Sequence, residues 1–420
     1  METYAKILLI AIPGFLVLVL LELAYGAWKK NQTYTLMDTL SSLSSGMTNI
    51  LKDVFGIGLI LISYPYLKDI LAVIQLEESV FLYFAAFICI DFASYWNHRL
   101  NHSINVFWNR HIVHHSSEEF NLACALRQSI SSLLGFGALF LLPAAVLGIP
   151  HKVITVLAPL HLFGQFWYHT KHIGKLGWVE YILVTPSQHR VHHAINPIYI
   201  DKNLSAIFCV WDRLFGTFQE ELEEEPCVYG TLKPVQTWNP VLINFQHNWG
   251  LAKDAWYTKN WLDKFRLWFM PTGWRPADVA QRFPRPIVED VFAQKKYAPV
   301  YTNKHKLIAL FHFTSLTLIL GYFLSQFGEL TYTNQIAFGV LIFSTVFGFT
   351  SLMDGYRWAV PFELLRGIAG LMFLFVPDNA ILWEMSHHLG LGLSLHFTLS
   401  IAVCLWTYSS LPKRVEIATA

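Results

Sequence analysis

Charge is scarce in this chain: only 14% of its 420 residues are Asp, Glu, Lys or Arg, and the formal net charge at pH 7 is +1. That balance gives no support for a nucleic-acid partner. Cysteine is scarce too. Cys89, Cys124, Cys209, Cys227 and Cys404 are scattered with no CxxC pair, which excludes a thiolate cluster and gives no disulfide framework. What is abundant is apolar: 54% of residues are hydrophobic, with 32 Phe and 15 Trp, and the mean hydropathy is +0.39. A soluble protein of this size would expose too much apolar surface, so the composition predicts an all-α, polytopic membrane protein.

Nine apolar stretches are long enough to span or nearly span a bilayer, at about 6–26, 47–66, 78–96, 129–148, 152–168, 307–327, 334–353, 361–377 and 390–410. The first is too long for a signal peptide and ends in Lys29-Lys30, so it reads as an anchor. Pro143, Pro150 and Pro159 interrupt the fourth and fifth, which predicts a hairpin dipping into the membrane rather than two straight spans. The positive-inside rule puts Lys29 and Lys30 in the cytosol. Counting onward brings His98 and the stretch from His169 to His193 to that same side, and Arg357 and Lys413-Arg414 agree. Four regions result: N-terminal membrane helices (1–75), a catalytic region (76–250), an interfacial amphipathic segment (251–306) and C-terminal membrane helices (307–420). Around and within the third, Trp249, Trp256, Trp261, Trp268 and Trp274 alternate with Lys253, Lys259, Lys264, Arg266 and Arg275, as in helices resting in the headgroup layer. Such a segment is a membrane rest, or a lip admitting a lipid substrate.

The polar minority is concentrated in histidine. His98-Arg-Leu-Asn-His102, His111-Ile-Val-His114-His115 and His189-Arg-Val-His192-His193 form the boxes HxxxH, HxxHH and HxxHH. Residues three and four apart share a helix face, so each box can aim its rings at one point. Imidazole nitrogen suits Fe, Zn, Cu or Ni, and eight rings are too many for one ion. The pattern predicts a two-metal centre in a histidine-rich helical cap on the cytosolic face. What the boxes lack narrows its chemistry. None has Glu after its first His, which excludes the HExxH protease site. None contains the carboxylates of bundle-type di-iron sites, and a structural zinc site would use about four ligands, normally with cysteine. An all-imidazole, two-metal site beside lipid suits O2 activation on an alkyl chain, with iron supplying the oxidant that an unionisable C–H bond requires. A transporter would line its spans with histidine; here histidine gathers at span ends.

Other residues stand near this centre. His169 and His172 are placed to complete the coordination sphere. Asp91, an acid in an apolar span two helical turns before His98, is expected to hydrogen-bond a ligand imidazole. Glu118, Glu119 and Asn121 either do the same or cap a helix. His161 is a weaker candidate ligand; His151, His247, His305, His312 and His396 read as structural, and His387-His388 as interfacial.

The text around the boxes carries a resemblance. Asp91-Phe-Ala-Ser-Tyr-Trp-Asn-His98-Arg, His114-His115-Ser-Ser-Glu-Glu-Phe-Asn-Leu122, Gln165-Phe-Trp-Tyr-His169-Thr170, Thr185-Pro-Ser-Gln-His189, Ile200-Asp-Lys-Asn203 and Trp211-Asp-Arg-Leu-Phe-Gly-Thr-Phe218 resemble the fatty acid hydroxylase superfamily, which includes sterol desaturases. Within it, they resemble the branch that oxidises glyceryl ethers, over roughly residues 80–250 and in the apolar C-terminal extension. The resemblance implies an integral membrane monooxygenase, of the endoplasmic reticulum or a bacterial inner membrane, using O2 and tetrahydrobiopterin. It would hydroxylate the carbon bearing the ether oxygen, and the hemiacetal would collapse to a fatty aldehyde and a glycerol derivative. It also implies two Fe ions held by His98, His102, His111, His114, His115, His189, His192 and His193, with His169 matching a further family histidine. Ser103 stands where animal members have a glutamate tied to pterin use, so another electron donor or another lipid stays open. So does a sterol or fatty-acyl desaturase or hydroxylase with the same metal chemistry.

Overall fold

The computed structural model describes residues 2–57, 59–60, 62–135, 137–375 and 387–407. Where no water reaches the backbone, its polar groups must pair within the segment, so apolar runs fold as helices. The described helices are α1 (Glu2–Trp28), α2 (Leu36–Val54), α3 (Tyr64–Leu71), α4 (Val80–Ser103), α5 (Asn105–His115), α6 (Leu142–Val146), α7 (His151–Phe163), α8 (Pro186–His193), α9 (Val210–Phe215), α10 (Pro240–Tyr257), α11 (Trp261–Arg266), α12 (Ala277–Arg282), α13 (Asn303–Gln326), α14 (Tyr332–Met353), α15 (Ala359–Leu374) and α16 (His387–Thr407). The sole sheet among the described residues is a parallel pair of two-residue strands, Leu59–Ile60 with Leu134–Gly135.

Among the described residues, five helices are long and apolar enough to cross a membrane: α1, α4, α13, α14 and the Leu389–Trp406 part of α16. The remaining expected stretches behave differently. Stretch 47–66 is not one helix: α2 ends at Val54, Gly56 turns at φ +60°, and Pro65 in the first turn of α3 restarts the chain. The stretches at 129–148 and 152–168 give a turn of 3-10 helix, then α6 and α7 joined through Gly148-Ile149-Pro150. With 5 and 13 residues, these two fall short of the ~20 needed to span. Helix α15 has 16 residues and also falls short. The tail of stretch 361–377 and Lys413-Arg414 lie outside the described residues.

Polar contacts fix which end of each long helix meets the cap. Near the end of α1, buried Glu22 accepts from Leu122 N at 2.8 Å. Asp354, just past α14, accepts from Trp238 N at 2.8 Å and Tyr297 Oη at 3.0 Å. Lys304 at the start of α13 donates to the Trp406 carbonyl at the end of α16. The opposite end is marked by Glu2, which packs against Gly328 beyond α13. All the cap contacts therefore lie at the end where α4 delivers His98 and His102. The boxes share one face by direct contact, without any count of crossings.

The main core joins α2, α13 and α14 through Phe323, Phe338, Ile342, Val346 and Phe349. A second core joins α3, α4, α6 and α7 through Tyr64, Ala86, Ile90, Ala144 and Ile149. Beside the cap, α10, α11 and the turn after it leave Trp249, Trp256, Trp261, Phe265 and Phe269 exposed.

Candidate metal centre

The end of α4, α5 and α8 deliver the eight box imidazoles, and the turn after α7 delivers His169. Helix α4 ends at Ile104, whose extended backbone lets α5 turn away at once. Buried Asn105 pins that turn by donating to the Leu267 and Trp274 carbonyls at 2.9 and 3.0 Å. Helix α8 starts on Pro186, which needs no N–H partner in a first turn, and every one of its residues is buried.

The rings form two groups. His98, His102, His111, His115 and His192 make the first; His114, His169, His189 and His193 make the second, each group with its ligand atoms within 4.8 Å of one another. The box spacing explains the division. Residues four apart (98/102, 111/115, 189/193) stay in one group, whereas the residue at the third position (His114, His192) points to the other. Each HxxHH box thus serves both groups. The groups abut, with the His115 and His193 rings stacked at 4.4 Å.

Backbone carbonyls set the tautomers. The Nδ1–H of His98 donates to Leu204 O at 2.7 Å, of His192 to Lys202 O at 3.0 Å, of His114 to Arg127 O at 3.3 Å and of His169 to Gln165 O at 3.0 Å. His102 Nδ1 donates to Asp201 Oδ1 at 3.1 Å. A proton on Nδ1 leaves Nε2 as a bare lone pair, the form a metal binds. His114 and His169 therefore present two lone pairs to each other, 3.3 Å apart. The Nε2 atoms of His102, His115 and His192 are buried without any partner. Orphaned, converging lone pairs fit a cation and little else. Burial, reinforced by neighbouring imidazoles, holds His111, His114, His115, His189, His192 and His193 well below the usual histidine range. Burial takes His169 down to about 4. These seven rings are neutral at pH 7, as ligation requires.

One turn orients three of the five rings in the first group. Residues Asp201 to Leu204 supply the acceptors for His102, His192 and His98. Asp201 and Asn203 adopt φ of +56° and +50°, which Asp and Asn tolerate better than other non-glycine residues. Asn203 Nδ2 donates to the Gln188 and Gln219 carbonyls, and Asp212 accepts from Leu204 N and Ser205 N at 2.7 and 2.9 Å, so the turn is held from both sides. In the second group, Arg127 plays the orienting part. It is buried, paired with Asp38 of α2 at 2.7 Å and bonded to Ser42 and Ser116, which locks the carbonyl that orients His114.

Several expected roles fall elsewhere. Asp91 accepts from His161 Nε2 at 2.6 Å, Ile207 N, Phe208 N and Trp211 Nε1; it anchors the 207–211 segment and bonds no ring of either group. Glu118 accepts from Tyr297 N, Glu119 pairs with Lys296, and Asn121 caps Ala123 N and Cys124 N while donating to Thr33 O. His172 packs on the Tyr25 ring, outside both groups. Asp201, Asp38 and Glu22 were not singled out in advance. Two of them carried the signal that marked Asp91, an acid within or beside an apolar run.

Comparison with known proteins agrees with this geometry. Residues 83–217, which contain all nine clustered imidazoles, match the fatty acid hydroxylase family. Human alkylglycerol monooxygenase is 33% identical over 409 residues, covering 96% of this chain and 89% of the human protein. The Xenopus tropicalis alkylglycerol monooxygenase is 32% identical over 403 residues, covering 96% of this chain and 88% of its own. An ornithine lipid hydroxylase, OlsE of Rhizobium tropici, is 28% identical over 131 residues, 31% of this chain and 40% of that protein. No solved structure matches the chain significantly. The chain therefore belongs to the fatty acid hydroxylase family, in its alkylglycerol monooxygenase group, and is a multi-pass membrane, O2-dependent lipid monooxygenase.

Proposed function

We propose that the two imidazole groups hold two iron ions, and that the enzyme hydroxylates the alkyl carbon attached to the ether oxygen of glyceryl ethers. The hemiacetal so formed collapses to a fatty aldehyde and a glycerol derivative. The observation that carries the reading is the pair of converging, deprotonated Nε2 sets in a chain 33% identical to an alkylglycerol monooxygenase. Bound iron would supply the activation of O2 needed to break a C–H bond that no base can ionise. Every other contribution is the protein's. The Lys202, Leu204, Arg127 and Gln165 carbonyls keep protons on Nδ1, burial keeps His114, His169 and His192 uncharged, and tight ring packing keeps bulk water out.

Access from lipid is supported by the segment after α11. Val106 N donates to Trp268 O at 2.9 Å and Thr272 Oγ1 to the His102 carbonyl, so the exposed aromatic face of α10 and α11 is tied to the first box. A lipid with its headgroup among those tryptophans would keep its ether linkage near the polar surface. Lys29, Lys30, Lys304 and Lys306 lie at the cap end, which supports a cytosolic site. Tetrahydrobiopterin is proposed as reductant, from the family resemblance. Ser103, exposed and donating to the Arg99 carbonyl, is the place to look for a different electron donor.

Purified protein in nanodiscs, loaded with iron and given alkylglycerol, sterol and ornithine-lipid substrates with and without tetrahydrobiopterin, tests this reading. O2-dependent aldehyde release from the alkylglycerol is expected. Oxidation of only the sterol or acyl lipid would replace ether cleavage with acyl or sterol hydroxylation.

A further inference from the structure

A second polar centre lies inside the C-terminal bundle, away from the histidine groups. Glu363 and Arg366 pair at 2.6 Å on one turn of α15, with 0% and 6% of their side chains exposed. Arg366 Nη1 donates to Thr345 Oγ1 of α14 at 3.0 Å and meets His396 Nε2 of α16 at 3.2 Å; His396 Nδ1 meets Ser315 Oγ of α13 at 3.0 Å. Gly348 on α14 makes the room, since any Cβ there would collide with the Glu363 carboxylate. At ~1.5 Å per residue, Arg366 lies ~10 Å from the cap-side start of α15 and Thr345 ~12 Å from the cap-side end of α14. That is close to the middle of a ~30 Å hydrocarbon core, where ionisable groups are costly and serve a purpose.

A guanidinium has five N–H donors. Glu363 takes the Nε–H and one Nη2–H, and Thr345 and His396 take the two on Nη1, which leaves one Nη2–H. Among the described residues, Arg366 is also the one charged residue in the wall of a cavity of about 530 Å³ between α14, α15 and α16. The rest of the wall is mostly apolar (Phe338, Leu341, Leu393 and Phe397 among others), with Thr333 and Asn334 at the end away from the cap. Such a volume lies within the ~300–1,000 Å³ range of small-molecule sites. Val340, on the membrane-crossing α14, and Leu365, on the shorter apolar α15, are exposed in the same wall, so what reaches the cavity is dissolved in the bilayer.

We propose that this cavity is a second lipid site, taking an uncharged single-chain lipid with a hydroxyl or carbonyl oxygen at its head. The oxygen accepts the remaining Arg366 Nη2–H, and the chain lies along α14 towards Thr333 and Asn334. From Thr345 back to Asn334 is ~16 Å of helix, enough for a long alkyl chain. The head is uncharged because Glu363 already neutralises Arg366, and a carboxylate would add an unpaired buried charge. The proposal is independent of the metal centre.

The test uses full-length protein in nanodiscs and a hexadecanol probe with a diazirine on its chain. Photolabelling is expected on peptides covering 333–344 and 362–374. Unlabelled hexadecanol and hexadecanal should compete, and hexadecane and palmitate should compete at least about tenfold less well, the worth of one hydrogen bond to a charged donor. Filling the cavity with Ala337→Phe and Ala369→Phe should remove the labelling. The paired Glu363→Gln and Arg366→Gln variant, which strands no charge, should erase the preference for hexadecanol over hexadecane. Hexadecane competing as well as hexadecanol on the unaltered protein would mean ordinary lipid solvation and overturn the proposal. So would labelling that survives the filled cavity in protein that still melts as the unaltered chain does.

Discussion

Asp201 offers a test in which one side chain separates two explanations of how the first ring group is held. Its carboxylate accepts from His102 Nδ1 at 3.1 Å, while its left-handed backbone sets up the carbonyls that orient His192 and His98. Asp201→Gly keeps the positive φ without strain and removes the acceptor; Asp201→Asn keeps an acceptor and tolerates the same backbone. A hydrogen bond to a charged partner is worth about 1.5–3 kcal/mol. Asp201 is 56% exposed, and solvent screening takes the figure towards about 1 kcal/mol. Losing such outer partners weakens metal binding about 10- to 100-fold, and the exposure argues for the lower figure. The assay is iron retained per chain after equilibration against buffered free iron, by elemental analysis of protein stripped and reloaded. Asp201→Gly should shift the weaker-retained equivalent by about tenfold and leave the other unmoved, and Asp201→Asn should shift it by less than about threefold. Equal losses in both variants would refute the carboxylate's role, and no loss in Asp201→Gly would refute the orienting argument as a whole.

Further outcomes follow from the same geometry. His114→Ala removes one of two facing lone pairs in the second group and should abolish aldehyde release while leaving membrane insertion intact; normal turnover would reject His114 as a ligand. The metal-free protein should lose stability in acid. His169 is held at about 4, below its ordinary value of 6.5, so the unfolded chain binds its proton first as the pH falls. No penalty exists above 6.5; it grows from there to about 4 and reaches about 3 kcal/mol from this ring alone, with the other depressed rings adding to it. Thermal unfolding of stripped protein across that window checks the sign, and iron should flatten the dependence. Arg127→Met leaves Asp38 buried and unpaired and should destabilise the cap by about 3–5 kcal/mol, whereas Arg127→Met with Asp38→Leu should cost much less.

How far the chain could be read without its structure depended on the range of each signal. The boxes were legible because helical spacing is local, but the expectation that each box aims its rings at one point was not met: His114 and His192 turn away from their own box partners into the other group. The span count was not legible. Hydropathy sees 47–66 as one run, yet Gly56 and Pro65 break it, and Ser41, Ser42 and Ser45 of α2 hold that helix by bonding the Trp238 carbonyl, Arg127 and the Gln128 carbonyl. Asp91 was rightly marked as a buried acid in need of partners, but which partners depended on a segment more than a hundred residues later, at Ile207 and Phe208. The carbonyls that set the tautomers carry no residue code at all. Only the left-handed Asp201 and Asn203 hint that a turn there has special work.

The central claim is two irons in two imidazole groups, and counting iron while deleting one group tests it most directly. Protein purified in nanodiscs should bind two iron equivalents per chain, with imidazole nitrogen as the dominant neighbour by X-ray absorption. Removing His189 together with His193 should leave one equivalent in the five-ring group. A single equivalent in the unaltered chain, or two that persist after that deletion, would contradict the account.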